Sequence, residues 1–193
     1  VQLKTNDGAS DMMPKFSPDG KFLAWCSNRH GNWDILLSSV DSTPDSRPQQ
    51  LTYSTEDEIH PSWSYDGRML AFSRYSAMDG LLNIWVLDMQ TRTLSAITEG
   101  LFPEFRPTAE KTLDGKEVYA LTYQRNRKRD IPWYSVWTIR VRPDKNGKID
   151  LADSPMEIIS NNEWAAINPC YSPDGKYISF ASVRKSPLLS LIH

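Results

Sequence analysis

The sequence has few cysteines and few histidines, and both shortages narrow the chemistry that it can support. Its 193 residues include two cysteines, Cys26 and Cys170, which are too few for a disulfide framework or a cysteine-rich metal cluster. We expect two buried thiols that act as small hydrophobic side chains, with a single bridge in an oxidising compartment as the alternative. The three histidines, His30, His60 and His193, lack the spacing of metal ligands. No metal site is predicted.

Net charge and long apolar runs are also scarce. Lysine and arginine (22) nearly balance aspartate and glutamate (24), which gives no electrostatic reason to expect a nucleic-acid or membrane-surface partner. No apolar run approaches the length of a membrane-spanning helix, and the first residues lack the features of a secretory signal peptide. Because the chain begins with Val1 rather than methionine, we expect its start to be a boundary set by processing or by the choice of segment.

Catalytic motifs are missing as well. The sequence contains no Gly-x-Ser-x-Gly nucleophile elbow, and Ser10 beside Asp11 has no histidine in a suitable sequence context. We therefore predict no catalytic residues. The chain is rich in aromatic residues, which make up 11% of the sequence and include seven tryptophans. Such side chains favour a folded β protein over a disordered chain.

A four-residue motif recurs along the chain and predicts its local structure. Ser17-Pro18-Asp19-Gly20 is repeated as Ser172-Pro173-Asp174-Gly175 and Ser64-Tyr65-Asp66-Gly67, and weakly as Thr112-Leu113-Asp114-Gly115. Serine suits the first position of a type I turn, proline presets φ at the second, and aspartate suits the third. A left-handed glycine then completes a hairpin loop with a bulge. The motif therefore predicts tight hairpins with positive φ at Gly20, Gly67 and Gly175.

The motif belongs to a longer repeat that prolines mark. The chain can be aligned on Pro14, Pro61, Pro107 and Pro169, which gives units of roughly 45 residues with a longer third unit. A hydroxyl residue stands nine positions before each proline: Thr5, Thr52, Thr98 and Ser160. An acid stands three positions before each of the first three prolines: Asp11, Glu58 and Glu104. The fourth unit has Ala166 at this position.

Each unit carries the signals of four antiparallel strands. A short strand with the pattern Pro-x-aromatic precedes the turn, two apolar strands follow it, and a fourth strand ends at the hydroxyl residue. The middle strands are apolar on both faces, as a sheet packed between two neighbouring sheets requires. We therefore predict an all-β fold, a β-propeller of four-stranded antiparallel blades with about four blades visible.

The predicted domain is a single propeller over residues 1–193. Its parts are an outer strand at 1–5, blades at 11–53, 58–99 and 104–160, the third with insertions, and a partial blade at 166–193. Pairing of the first strand with Leu188 to Ile192 would close a four-bladed ring. We favour part of a six- to eight-bladed ring, because four blades are an unusual number. Open blade faces would then promote self-association or a larger assembly.

The repeat resembles that of the TolB-like β-propellers. The matching residues are Pro-x-aromatic-Ser-Pro-Asp-Gly-Lys, then an apolar-Ala-apolar-x-Ser strand, Asp-Ile and Leu-Thr. Such propellers occur in the periplasmic TolB protein, in prolyl-oligopeptidase-like peptidases and in oligogalacturonate lyases. The resemblance implies a location in the periplasm or cell envelope, and it specifies the fold better than the function.

Three functions are compatible with these features. A non-enzymatic protein-interaction scaffold of the bacterial cell envelope is favoured, because rigid blades carry variable loops and no catalytic residues are identified. The first alternative is the propeller domain of a prolyl-oligopeptidase-like serine peptidase whose hydrolase domain lies outside this chain, and the second is a sugar-acid lyase. The scaffold hypothesis predicts a protein partner, no nucleic acid, no membrane insertion and no cofactor, with a channel cation such as calcium as the alternative.

Two groups of residues are candidate binding sites. By the repeat, Asp11, Glu58 and Glu104 occupy one equivalent position at the channel mouth, beside His60. We expect hydrogen bonds to the neighbouring blade to engage these acids, with binding of a cation or a basic peptide as the alternative. The second group is a basic loop, expected to be a solvated hairpin tip with docking of an acidic partner as the alternative: Arg125, Arg127, Lys128 and Arg129.

Overall fold

The computed structural model describes residues 8–43, 46–78, 80–111, 115, 117–126, 134–159 and 165–182. These residues form sixteen β-strands and no helix, and so the described ranges hold no helix that could span a membrane. Several predictions concern residues outside the described ranges: the outer strand at 1–5, its pairing with Leu188 to Ile192, and the side chains of Arg127, Lys128, Arg129 and His193.

The first two blades are regular four-stranded antiparallel sheets in which each strand pairs with the next along the chain. The first contains β1 (Asp11–Phe16), β2 (Phe22–Ser27), β3 (Asp34–Ser39) and β4 (Gln49–Gln50). The second contains β5 (Glu58–Trp63), β6 (Met69–Ser76), β7 (Leu81–Asp88) and β8 (Leu94–Glu99). Their outer strands differ, because β4 has two residues and β8 has six.

The third blade is enlarged, and the fourth is described over its first two strands. The third contains β9 (Leu101–Phe105), β10 (Glu110–Lys111), β11 (Glu117–Asn126), β12 (Tyr134–Pro143), β13 (Ile149–Leu151) and β14 (Met156–Ile159). The fourth contains β15 (Ala166–Tyr171) and β16 (Ile178–Ser182). The predicted all-β architecture of antiparallel propeller blades is confirmed.

The hairpin turns adopt the predicted geometry. In the first copy the Gly20 amide donates to the Ser17 carbonyl oxygen (2.9 Å), and the Ser17 hydroxyl donates to Asp19 Oδ1 (2.6 Å). The glycine φ angles are +71° at Gly20, +74° at Gly67 and +70° at Gly175. Positive φ at all three glycines is therefore confirmed, and the turn aspartates are structural residues.

The core lies between the blades, since the middle strands bury both of their faces. Along β6, Leu70 and Phe72 pack towards the first blade, while Met69 and Ala71 pack towards the third. This division follows from the alternation of side chains across a strand. Inner strands also bond to the preceding blade: the Glu58 amide donates to the Trp33 carbonyl oxygen (2.7 Å). The Phe105 and Asn168 amides donate to Ser62 Oγ (3.0 Å) and Gln124 Oε1 (2.8 Å), respectively.

Candidate functional site

Each of the four inner strands contains a bulge at the residue before a proline. In β1, Met12 pairs with Cys26 and Lys15 with Ala24, so that two residues lie opposite one. The residues at the bulges have left-handed backbones without being glycine: Met13 (φ 56°), His60 (61°), Phe102 (53°) and Asn168 (52°). The prolines that follow remove an N–H that a bulge leaves unpaired. The bulges therefore show which residues of the four inner strands occupy equivalent positions.

The alignment corrects the predicted repeat in the third blade. The equivalent proline is Pro103, which follows Phe102, and Pro107 lies beyond the end of β9. Glu104 is therefore equivalent to Lys15, because Glu104 pairs with Thr122 as Lys15 pairs with Ala24. The prediction that Glu104 shares one position with Asp11 and Glu58 is wrong.

Asp11 and Glu58 do occupy equivalent positions at the start of their strands. Asp11 accepts hydrogen bonds from Trp25 Nε1 (2.9 Å) and Arg29 Nη2 (3.2 Å), both within the first blade. Burial alone would raise the pKa of Asp11, but hydrogen bonds from Ser27, Trp25 and Arg29 outweigh it and lower the pKa. We expected hydrogen bonds from a neighbouring blade to Asp11, but these partners come from its own blade.

Glu58 is fully buried (0% exposed) between the first and second blades. Its Oε1 accepts from Arg74 Nε (2.7 Å), and the Arg74 guanidinium stacks on the Trp85 ring at 4.1 Å. Burial raises the pKa of Glu58, and the Thr52 hydroxyl and Arg74 counteract this rise only in part. Within the described residues, Glu58 Oε2 has no hydrogen-bond partner.

A second buried carboxyl, which was not among the predicted site residues, lies near Glu58. Asp34 begins β3 and is 1% exposed. Its Oδ2 accepts from Gln50 Nε2 (3.0 Å), whereas Oδ1 has no partner among the residues described. Burial has the largest effect on Asp34 and raises its pKa. The nearby Asp57 also raises this pKa, whereas His30, Asn32 and Gln50 lower it.

Glu104 forms an ion pair that joins two inner strands of non-adjacent blades. Lys15 Nζ lies 3.2 Å from Glu104 Oε2, and the two side chains are 46% and 25% exposed. The Lys15 carbonyl oxygen also accepts from Trp63 Nε1 of the second blade (3.1 Å). Lys15, Ser62, Glu104 and Cys170 hold the same strand position in the inner strands of successive blades.

His60 lies at the bulge of β5, where its side chain contacts the third blade. Its ring lies 3.7 Å from the ring of Phe102, the equivalent residue of the next blade. Burial lowers the pKa of His60 to about 4, so the imidazole is neutral at physiological pH. Within the described ranges, no group of three or more His, Cys, Asp and Glu side chains is arranged to hold a metal ion. The channel cation stays a prediction.

The two cysteines are unbridged and differ in environment. Cys26 is buried and Cys170 is exposed, so the expectation of two buried thiols is wrong for Cys170. Burial raises the pKa of the Cys26 thiol to about 12, which a hydrogen bond from the His60 backbone opposes. Arg125, the described member of the basic loop, lies 3.5 Å from Glu99 Oε2 and 5.3 Å from the Trp137 ring.

A groove at the outer contact of the first two blades was not predicted. Its volume is about 520 Å³, and its walls come from residues 49–54 of the first blade and from Arg74, Leu87, Arg92 and Leu94 of the second. One sequence signal was available: Pro44 and Pro48 both precede β4, Pro48 directly, and proline cannot donate to a strand ladder. A short outer strand leaves the neighbouring blade uncovered at this point.

Comparisons with known proteins agree with this architecture. No protein-family model matches the chain. An uncharacterised protein of Agrobacterium fabrum is 26% identical over 179 residues, which make up 90% of this chain and 54% of that protein. TolB from Acinetobacter baumannii superposes with a TM-score of 0.55 at 21% identity, covering 89% of this chain and 37% of TolB. A structure from Agrobacterium tumefaciens assigned as TolB gives 0.64 at 18% identity, with coverages of 91% and 55%.

The chain has a TolB-like β-propeller fold. It spans about half the length of the Agrobacterium proteins that it matches. The chain is also similar to part of a prolyl endopeptidase, with a TM-score of 0.64 at 15% identity over 93% of this chain and 25% of the peptidase. At these identities the likeness establishes the fold, and the function must be argued from the residues.

Proposed function

We propose that the chain is the propeller of a non-enzymatic protein-interaction scaffold of the bacterial cell envelope. The observation that carries this proposal is the similarity to two TolB structures over about nine-tenths of the chain. The candidate acids support it, because Asp11, Glu58 and Glu104 are engaged by Arg29, Arg74 and Lys15. These carboxylates serve the structure of the blades.

Exposed aromatic side chains supply contact surface for a partner. Phe16 and Tyr177 flank hairpin turns that join the first and second strands of their blades, and they are 63% and 61% exposed. Tyr53, beside the groove, is 75% exposed. Aromatic residues are enriched at protein–protein interfaces, so these three positions are the best places to look for a partner.

Photo-cross-linking in living cells tests the proposal. The full-length protein would be produced in its own organism with a benzophenone amino acid at Phe16, Tyr53 or Tyr177, and with an exposed outer position, Met156, as the control. We expect a discrete cross-linked protein in the envelope fraction from at least one aromatic position and none from Met156. Recovery of the protein in the cytoplasm, or no cross-link from any of the three positions, would contradict the scaffold function.

A second candidate is the propeller domain of a prolyl-oligopeptidase-like serine peptidase. The structural similarity to a prolyl endopeptidase, of which this chain covers 25%, favours it. Labelling of the full-length native protein by a fluorophosphonate, which reacts with activated serines, would select this candidate over the scaffold. Absence of labelling, with an active peptidase labelled in the same extract, would remove it.

A further inference from the structure

The contact between the first and second blades includes two buried carboxyl groups, one from each blade. Asp34 of the first blade is 1% exposed, and Glu58 of the second is 0% exposed. The Glu58 amide donates to the carbonyl oxygen of Trp33, the residue before Asp34 (2.7 Å). On the other side of Asp34, the Ile35 amide donates to Thr52 Oγ1 (2.9 Å). The Thr52 hydroxyl in turn bonds to the Glu58 carboxyl, so one hydrogen-bonded assembly contains both acids.

These two carboxyls have too few partners for two negative charges. Glu58 Oε1 accepts from the Arg74 guanidinium (2.7 Å), whereas Asp34 Oδ2 accepts from the neutral amide of Gln50 (3.0 Å). Among the residues that the structure describes, Asp34 Oδ1 and Glu58 Oε2 have no hydrogen-bond partner. A buried carboxylate oxygen without a donor is costly, and protonation of the group removes that cost. One proton on the two carboxyls would leave a single negative charge, which Arg74 balances.

The other titratable groups that act on these acids favour retention of a proton on balance. Asp57 opposes ionisation of Asp34, while His30, which favours it, is exposed. The charge of Asp34 opposes ionisation of Glu58 in the same way. Burial is the largest effect on each acid and raises the pKa of both. His60 supplies no positive charge at neutral pH, since burial lowers its pKa to about 4.

We propose that Asp34 and Glu58 together hold one proton at neutral pH, and that release of this proton loosens the first blade from the second. When the contact opens, water solvates both carboxyls and both ionise. The open state therefore binds fewer protons than the closed state, and its population grows as pH rises. The contact is then a pH-sensitive joint within the propeller. This inference goes beyond the scaffold function and does not depend on it.

Carbon-13 NMR of side-chain carboxyls tests for the proton directly. The full-length protein would be labelled at aspartate and glutamate and titrated from about pH 4 to about pH 9. We expect the Asp34 and Glu58 signals to show one bound proton between them at pH 7. Because interacting groups titrate together, both signals should change over the same pH steps. Asp41, at an exposed site, is the reference for an ordinary carboxyl. Ionisation of both buried acids below about pH 6 would overturn the proposal.

Native-state hydrogen exchange tests whether the proton controls the joint. The Glu58 amide bonds across the first blade contact, and the Phe105 amide bonds across the second. From about pH 6 to about pH 8, the protection factor of the Glu58 amide should fall by up to about tenfold per pH unit, the limit for one proton. That of the Phe105 amide should stay nearly constant. The Asp34→Asn variant should abolish the fall, and Asp41→Asn should keep it.

Comparison of the wild type with Asp34→Asn at each pH cancels the contribution of His60, which both proteins share. Equal pH dependence at the two amides would overturn the joint, and so would a fall in Glu58 protection that Asp34→Asn retains. If Asp34→Asn does not fold, the wild-type titration and the contrast between the Glu58 and Phe105 amides decide the question without it.

Discussion

Buried charge is concentrated where the first blade meets the second. Glu58 has a cationic partner in Arg74, whereas Asp34 has the neutral amide of Gln50. A buried carboxylate without a cation is costly in its charged form, so protonation relieves the cost. The two carboxyls therefore affect stability in a pH-dependent way, and Asp34 is the one that can be changed without leaving a buried arginine unpaired.

The Asp34→Asn variant should become more stable relative to the wild type as pH rises. Because burial raises the pKa of Asp34, the native state binds this proton more tightly than the unfolded chain does. The contribution of Asp34 to stability is thus complete below the unfolded pKa and is lost as pH rises through the native pKa. Urea unfolding from about pH 4 to about pH 8 measures the difference, and Asp41→Asn, at an exposed site, is the control. A difference that falls with pH would contradict the assignment.

Gly20→Val should lower the free energy of unfolding by about 1 kcal/mol or more, because a β-branched residue is strained at φ +71°. A Cβ at Gly20 would meet no atom within 4 Å, so the cost comes from the backbone alone. Gly20→Asn should cost less, since asparagine tolerates this conformation. Equal urea midpoints for the valine and asparagine variants would show that strain at the turn is unimportant.

Sequence reasoning was most reliable at these turns, because each turn residue has a local physical role that does not depend on the rest of the fold. It was less reliable for the acids. Asp11 and Glu58 were placed at equivalent positions, but Glu104 was misplaced by an alignment that counted residues back from Pro107. Burial of Asp34 depends on the packing of one blade against another, and no local pattern encodes that.

At the scale of whole strands, the connection between the second and third blades explains the misalignment. The segment from Thr98 to the third inner strand is shorter than the segment that follows Thr52, so the equivalent proline moves from the expected position to Pro103. Gly100 occupies the place of Asp11 and Glu58, and a Cβ there would approach Tyr123 to 2.5 Å. The tyrosine ring fills the space that an acid occupies in the first two blades.

The β12–β13 hairpin should be sensitive to a single methyl group. A Cβ at Gly147 would overlap the side chain of Thr91 in the second blade, so we expect Gly147→Ala to cost about 2 kcal/mol from strain and overlap together. Gly20→Ala, at a similar φ and with open space around it, should cost less. Adding Thr91→Gly to Gly147→Ala should restore part of the loss, and a strictly additive double-mutant cycle would show that the hairpin does not press on this turn.

At the scale of the whole molecule, one apolar cluster joins the first and second blades, another joins the second and third blades, and an ion pair links inner strands of the first and third blades. The Lys15–Glu104 ion pair is partly exposed at both ends, and such pairs contribute little to stability. Glu104→Gln should therefore change the free energy of unfolding by less than about 1 kcal/mol, measured by urea titration at low and high salt. A larger loss that salt abolishes would give this pair a role in holding the blades together.

The two thiols should report separately on the native and unfolded states. Cys170 is exposed and Cys26 is buried, so a thiol reagent should modify about one cysteine per native chain, and the second only when the first two blades separate. The Cys170→Ser variant should show no fast reaction, and its slow reaction should accelerate with urea in parallel with unfolding. Rapid modification of Cys26 in the native protein would contradict the described packing of the first blade on the second.

The hydrogen bonds from inner strands to the preceding blade also favour an order of folding during translation. The amides of Glu58, Phe105 and Asn168 each donate to an acceptor that lies earlier in the chain: Trp33, Ser62 and Gln124. As the chain leaves the ribosome, every new inner strand thus meets a docking surface that has already been translated. Blades can then fold one at a time from the amino terminus. The exposed apolar face of each new blade is covered when the strands of the next blade are translated.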